Sequence, residues 1–118
     1  MTMQLFEARV RQLPPVAIID LHGDIQATSE DILNAAYAEA ISQEPATILL
    51  NFADVQYIDS NGISVIVGLL TQARQSHRRL LACGLSEHYV QVFRVTRLDD
   101  FMRVFPDETS ALADASAS

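Results

Sequence analysis

The stretch from Asn51 to Ala73, N-F-A-D-V-Q-Y-I-D-S-N-G-I-S-V-I-V-G-L-L-T-Q-A, constrains the fold more than any other part of the chain. An apolar strand, Ile48 to Phe52, runs into a short polar loop, and Asp59-Ser60-Asn61-Gly62 then opens a segment that is apolar from Ile63 to Leu70. Ile63, Val65, Ile66 and Val67 are β-branched and would suit a strand. The apolar pattern nevertheless continues through Leu69, Leu70 and Ala73 to the polar Gln75-Ser76-His77, too long for a strand, so the segment reads as a helix. A helix apolar on nearly every side is expected to be buried. Asp59 or Ser60 caps its first turn, where the helix dipole favours negative charge. Gly62 and Gly68 each cost about 1 kcal/mol of helix propensity, and both are expected where another backbone passes close. The hydroxyl of Ser60, the carboxylate of Asp59 and the amide of Asn61 thus collect at the exposed start of an anchored helix.

The remaining elements alternate in type. Leu5 to Leu13 places Phe6, Ala8 and Val10 on one face and Glu7, Arg9 and Arg11 on the other, the pattern of an edge strand with one wet side. Pro14-Pro15 breaks it, and Val16 to Leu21 pairs back as an antiparallel hairpin. After the loop His22 to Ala27, Thr28 and Asp31 stand at capping-box spacing. Ile32, Leu33, Ala36, Tyr37, Ala40 and Ile41 then recur at the helical period, and Pro45 closes that helix. Thr47 to Phe52 is a central strand expected to be covered on both faces, with Asn51 pairing buried backbone and Asp54 exposing charge in the following loop.

Beyond the Asn51–Ala73 stretch, Leu80 to Cys83 forms a second central strand and Ser86 caps a helix with Val90, Phe93 and either Val92 or Val95 inward. Phe101 to Phe105 is a short strand. Pro106-Asp107-Glu108 starts a last helix through Leu112 and Ala115, frayed from Ala113 to Ser118. The whole reads as one α/β domain over residues 1–118, with its core between about 4 and 115. Its sheet is mixed and mostly parallel, of about five strands with an opening antiparallel hairpin and about four helices.

Composition then excludes several activities. All eight basic residues are arginine, so Schiff-base, P-loop and kinase-type lysine chemistries are impossible. A net charge of −7 argues against direct nucleic-acid binding or an anionic membrane surface, both of which need clustered basic charge. Cys83, the single cysteine, rules out an intrachain disulfide and reads as a buried, inert thiol. No stretch reaches the ~20 apolar residues of a membrane span, and the start lacks a signal-peptide layout, so a cytoplasmic protein is expected. His22, His77 and His88 show no zinc-ligand spacing, no cofactor is implied, and no residue stands out as the base that would make Ser60 a nucleophile.

The heptapeptide Tyr57-Ile58-Asp59-Ser60-Asn61-Gly62-Ile63 resembles the STAS domains, specifically the bacterial anti-sigma factor antagonists. These carry an aromatic-hydrophobic dipeptide, an aspartate-serine pair, one further residue, glycine and an aliphatic residue. The likeness covers about residues 4 to 115 and reproduces the order of elements. It implies that Ser60 is phosphorylated by a partner kinase, and that the partners are an anti-sigma factor with GHKL-type serine kinase activity and a phosphatase. It further implies a docking surface formed by Asp24, Gln26, Asp59, Ser60, Asn61 and Gly62. Gly23, Asp24 and Ile25 match the family's earlier loop, whereas Gln26 stands for an acidic residue, Asn61 for a serine or threonine, and Arg97 for a glycine. Three classes of function follow. The chain is a phosphorylation-controlled antagonist, an unphosphorylated STAS binding subunit such as the partner of a lipid-transport ABC ATPase, or, least in keeping with its residues, an enzyme.

Overall fold

A computed structural model describes residues 5–117. The elements are β1 (Glu7–Leu13), β2 (Val16–His22), α1 (Glu30–Ile41), β3 (Thr47–Asp54), α2 (Ser60–Gln75), β4 (Arg79–Cys83), α3 (Glu87–Val95), β5 (Arg103–Phe105) and α4 (Glu108–Ala117). They form one five-stranded sheet in the order β1-β2-β3-β4-β5. β1 and β2 pair antiparallel from Glu7↔His22 to Leu13↔Val16, turning at a cis Pro14–Pro15 bond, and every later neighbour is parallel. A mixed sheet with an opening hairpin and four helices is the architecture expected from the alternation of patterns.

Side-chain alternation divides the core in two. Ala17, Ile19, Leu21, Ile48, Leu50, Phe52, Leu80 and Ala82 face α1, α2 and α3 in the larger cluster, where Phe52 meets Phe93 edge-on with ring centroids 6.0 Å apart. Val16, Ile18, Leu49, Leu81 and Cys83 face the other way, against Ala111 and Ala115 of α4. Because α4 is the one helix on that side among the described residues, β3 is sandwiched only as far as Leu50. Asn51 is half-buried and Ala53 exposed, so the expectation of cover on both faces fails at the C-terminal end of the strand. Polar residues occupy the uncovered region. Arg11 grips Asp20 through two bonds of 2.6 and 2.9 Å and also reaches Glu108 of α4. Asn51 donates to Asp20 at 2.8 Å and accepts from the Ala53 N–H at 3.1 Å, so it pairs with one carboxylate and one local backbone group.

Several local expectations are corrected. α2 is two-sided: Gly62, Val65, Ile66, Leu69, Leu70 and Ala73 are buried, while Asn61, Ser64, Val67, Gly68 and Thr71 are exposed. Val67 extends the apolar pattern onto an outer face that the core does not use. A Cβ on Gly68 would meet nothing within 4 Å, so no backbone passes there. The capping box at Thr28 and Asp31 is replaced by a 3-10 turn over Ala27–Ser29 in which Ser29, 1% exposed, accepts from the Gln26 N–H at 3.0 Å and donates to the Asp24 carbonyl at 3.2 Å.

Ile32 is exposed because the inward face of α1 runs through Leu33, Ala36, Tyr37 and Ala40. In α3 the anchors are Tyr89 and Phe93. Val90 and Val92 are half-buried, and Val95 lies out in solvent. The last strand is confined to three residues because Leu98–Asp100 form a 3-10 turn and Phe101 packs under the Arg74 guanidinium, 4.6 Å from its ring centre. The segment expected to fray is helical to Ala117, pinned by Asp114 between Arg79 at 2.6 Å and Arg103 at 3.0 Å; Ser118 lies outside the described residues.

Candidate functional site

β3 delivers the chain to the C-terminal edge of the sheet, and Val55 and Ile58 are buried there as pegs under an otherwise exposed loop. Ile58 forms a single parallel bridge with Ile25: the Ile25 N–H donates to the Tyr57 carbonyl at 3.0 Å and the Asp59 N–H to the Ile25 carbonyl at 3.2 Å. In such a bridge Ile58's own backbone groups point the opposite way, and both meet the buried hydroxyl of Tyr89, which accepts from the N–H at 2.7 Å and donates to the carbonyl at 3.2 Å. Two segments distant in sequence, the Ile25 loop and α3, thus fix the residue two positions before Ser60. The loop around Asp24 to Gln26 is held against this one by the bridge, so the fold brings both segments of the expected docking surface to one place.

Asp59 has extended backbone and is the N-cap of α2, its carboxylate accepting from the Gly62 N–H at 2.7 Å. With the Asp59 N–H already bound to Ile25, the N–H groups of Ser60 and Asn61 remain at the open end, with no protein acceptor among the described residues. Ser60 itself is exposed and is the first helical residue. Positive dipole and open N–H groups make this a place where an anion on the Ser60 oxygen is electrostatically tolerated. Gly62 lets α2 dock at all: a Cβ there would lie 2.2 Å from the Ile25 carbonyl oxygen and 3.0 Å from the Ile58 side chain. Ala27, Glu30, Asn61, Ser64 and Val65 line a shallow depression beside Ser60, between the start of α1 and the exposed face of α2. Tyr57 adds a half-exposed ring on the approach.

The other polar candidates lie elsewhere. Asp54 ends β3 with its carboxylate 3.0 Å from the His22 Nδ1. His77 turns the chain after α2, at the opposite end of that helix from Ser60, and His88 packs edge-on against Tyr89. Cys83 is buried and contacts Asn51 at 3.7 Å, and burial pushes its thiol up to about 11, as befits an unreactive sulfur. Arg97, where the family has glycine, adopts a left-handed backbone with φ +63° at the end of α3. Sequence reasoning missed Tyr89 and Ser29. A tyrosine one turn inside a helix and a serine ahead of one carry no outward sign that their hydroxyls will hold a distant loop.

A five-stranded mixed sheet thus carries a capped, serine-bearing helix start at its C-terminal edge. The STAS domain model matches residues 7–111, and the chain belongs to the STAS domain family. It is 28% identical over 97 residues to a Bordetella bronchiseptica protein named as the anti-sigma factor antagonist BtrV, covering 82% of this chain and 81% of that one. It is also 28% identical over 82 residues to the anti-sigma-B factor antagonist of Listeria monocytogenes, covering 70% and 72%. Among solved structures, the Bacillus cell-fate determinant SpoIIAA in its phosphorylated form superposes with a TM-score of 0.69 at 21% identity, over 94% of this chain and 99% of that one.

Proposed function

We propose that this protein is an anti-sigma factor antagonist of the cytoplasm. In its unphosphorylated form the surface around Asp24, Gln26, Asp59, Ser60, Asn61 and Gly62 captures an anti-sigma factor, and transfer of phosphate to Ser60 by the GHKL-type serine kinase activity of that partner ends the capture. A phosphatase would restore it. The observation that carries this reading is the position of Ser60: exposed, first in a helix whose cap is supplied by the neighbouring Asp59, and held by a loop anchored on Ile25 and Tyr89. A nucleophile that must enter a kinase active site needs that exposure, and a switch needs the underlying scaffold to stay folded in both states.

Phosphate adds a charge of about −1.5 to −2 beside Asp59, while the helix end accommodates it without disturbing the core. A docking surface fitted to a neutral hydroxyl gains both bulk and repulsion. A penalty of ~3 kcal/mol would weaken binding more than a hundredfold. Calorimetry against the anti-sigma factor of the same organism tests this with three proteins. Wild type and Ser60→Ala are expected to bind alike, with only the former phosphorylated, and Ser60→Asp to bind weakly while melting near the wild-type temperature. Equal affinity for all three would overturn phosphorylation as the control and leave a constitutive binding subunit.

A further inference from the structure

Asn61 is followed by Gly62, the pairing in which an asparagine is most open to attack by the next backbone nitrogen, because glycine offers that nitrogen no steric shield. Glycine cannot be exchanged here, since a side chain at position 62 would strike the Ile25 carbonyl. The chain therefore carries an obligatory weak point one residue from Ser60, and Asn61 is exposed to the water the reaction needs. The structure opposes that reaction in two ways. The attacking nitrogen is the one held by the Asp59 carboxylate at 2.7 Å, which stabilises the N–H against losing its proton. Both residues also sit in the first turn of α2, whose helical backbone directs the Gly62 N–H toward Asp59 and away from the Asn61 side chain.

We infer that Asn61–Gly62 is a latent deamidation site, kept intact by the Asp59 cap, whose opening converts Asn61 to aspartate or isoaspartate beside Ser60. The step is balanced without a redox partner. The Gly62 nitrogen gives up its proton and bonds to the Asn61 side-chain carbonyl carbon, and that carbon expels its amide nitrogen as ammonia, leaving a five-membered succinimide. Water then opens either ring carbonyl to give a carboxylate with normal or rearranged backbone. The net change is one added negative charge at position 61, and in the rearranged product an extra backbone atom in the first turn of α2. On the proposed function this product would resist capture of the partner much as the phosphorylated protein does, so an opened first turn would lead to irreversible loss of binding. The deamidation itself does not depend on that reading.

The test follows the mass increase of one dalton and the isoaspartate content at Asn61 during incubation at neutral pH. Wild type in buffer, wild type in urea, Asp59→Ala, Asp59→Ser and Ile66→Ala are compared. Urea should deamidate Asn61 far faster than buffer. Asp59→Ala should accelerate the folded protein severalfold to about tenfold, the range by which losing a cap increases opening of a first turn. Asp59→Ser, which keeps an acceptor, should return the rate most of the way to wild type. Ile66→Ala, which lowers global stability but leaves the cap, should accelerate less than Asp59→Ala at a temperature where both remain folded. Equal rates for folded and urea-treated wild type, or equal rates for Asp59→Ala and Asp59→Ser, would overturn the proposal. Partner binding by Asn61→Asp is a separate readout: undiminished affinity there would count against the proposed docking surface and leave the chemistry of Asn61 standing.

Discussion

The hydroxyl of Tyr89 satisfies both backbone groups of Ile58, accepting from its N–H at 2.7 Å and donating to its carbonyl at 3.2 Å, so one α3 side chain holds the loop that leads into Ser60. Tyr89→Phe keeps the packing and removes both bonds. Two buried groups are then left unpaired at about 1–3 kcal/mol each at most. Chemical denaturation should register a loss of about 2–4 kcal/mol, and amide exchange at Ile58 and Asp59 should quicken. A loss under ~0.5 kcal/mol would show that water replaces the tyrosine without penalty.

The two glycines of α2 should respond in opposite directions. Gly62→Ala forces a methyl group into the Ile25 carbonyl and must displace backbone, so a destabilisation of several kcal/mol is expected. Gly68→Ala enters open solvent and should stabilise by up to ~1 kcal/mol through helix propensity alone. Thermal melting of the pair decides it, and a stabilised Gly62→Ala would contradict the packing described at the start of α2.

Ile66 is fully buried between α2 and the sheet. Truncation by Ile66→Ala should cost roughly 2–5 kcal/mol, a large share of a small domain's stability. Urea denaturation gives the number, and a loss below about 1 kcal/mol would contradict the burial.

Acid stability should depend on Asp20. Hydrogen bonding from Arg11 is the main cause holding its carboxyl below the ordinary range, helped by the amide of Asn51 and opposed by partial burial. A carboxylate whose folded-state value is depressed contributes stability that is fully present above its unfolded value of about 3.9 and is lost as pH falls through the folded value. Asp20→Asn should therefore lower stability at pH 7 and flatten the decline below about pH 4. Parallel acid-limb slopes for the two proteins would show that the Arg11 contact contributes nothing net.

Patterns that depend on one element were legible in the sequence. The alternation in β1, the start of α2 at Asp59 and the Ser86 cap of α3 all follow from local chemistry, and the structure has Ser86 accepting from the Tyr89 N–H. What escaped depends on which neighbour arrives. Gly62 and Gly68 look alike along the chain, yet only Gly62 meets the Ile25 backbone, and only the three-dimensional crossing of the two loops distinguishes them. Ile32 and Val95 fit a helical stripe but fall just past its buried edge, where no facing strand continues. The roles of Ser29 and Tyr89 were hidden for the same reason: each hydroxyl serves a backbone group whose need arises only once the loops are packed.

Strand order here rises without interruption, and α1, α2 and α3 all cross on one face of the sheet. Open α/β sheets acquire their ligand crevice at a topological switch point, where neighbouring crossovers leave for opposite faces. The three parallel crossovers of this molecule provide no such point. On the proposed function, binding on this scaffold proceeds outward from the rim, through a handful of side chains on the two short loops joined by the Ile25–Ile58 bridge. A change of partner then requires new surface residues and no rebuilding of the interior, which leaves the same core compatible with many conversations.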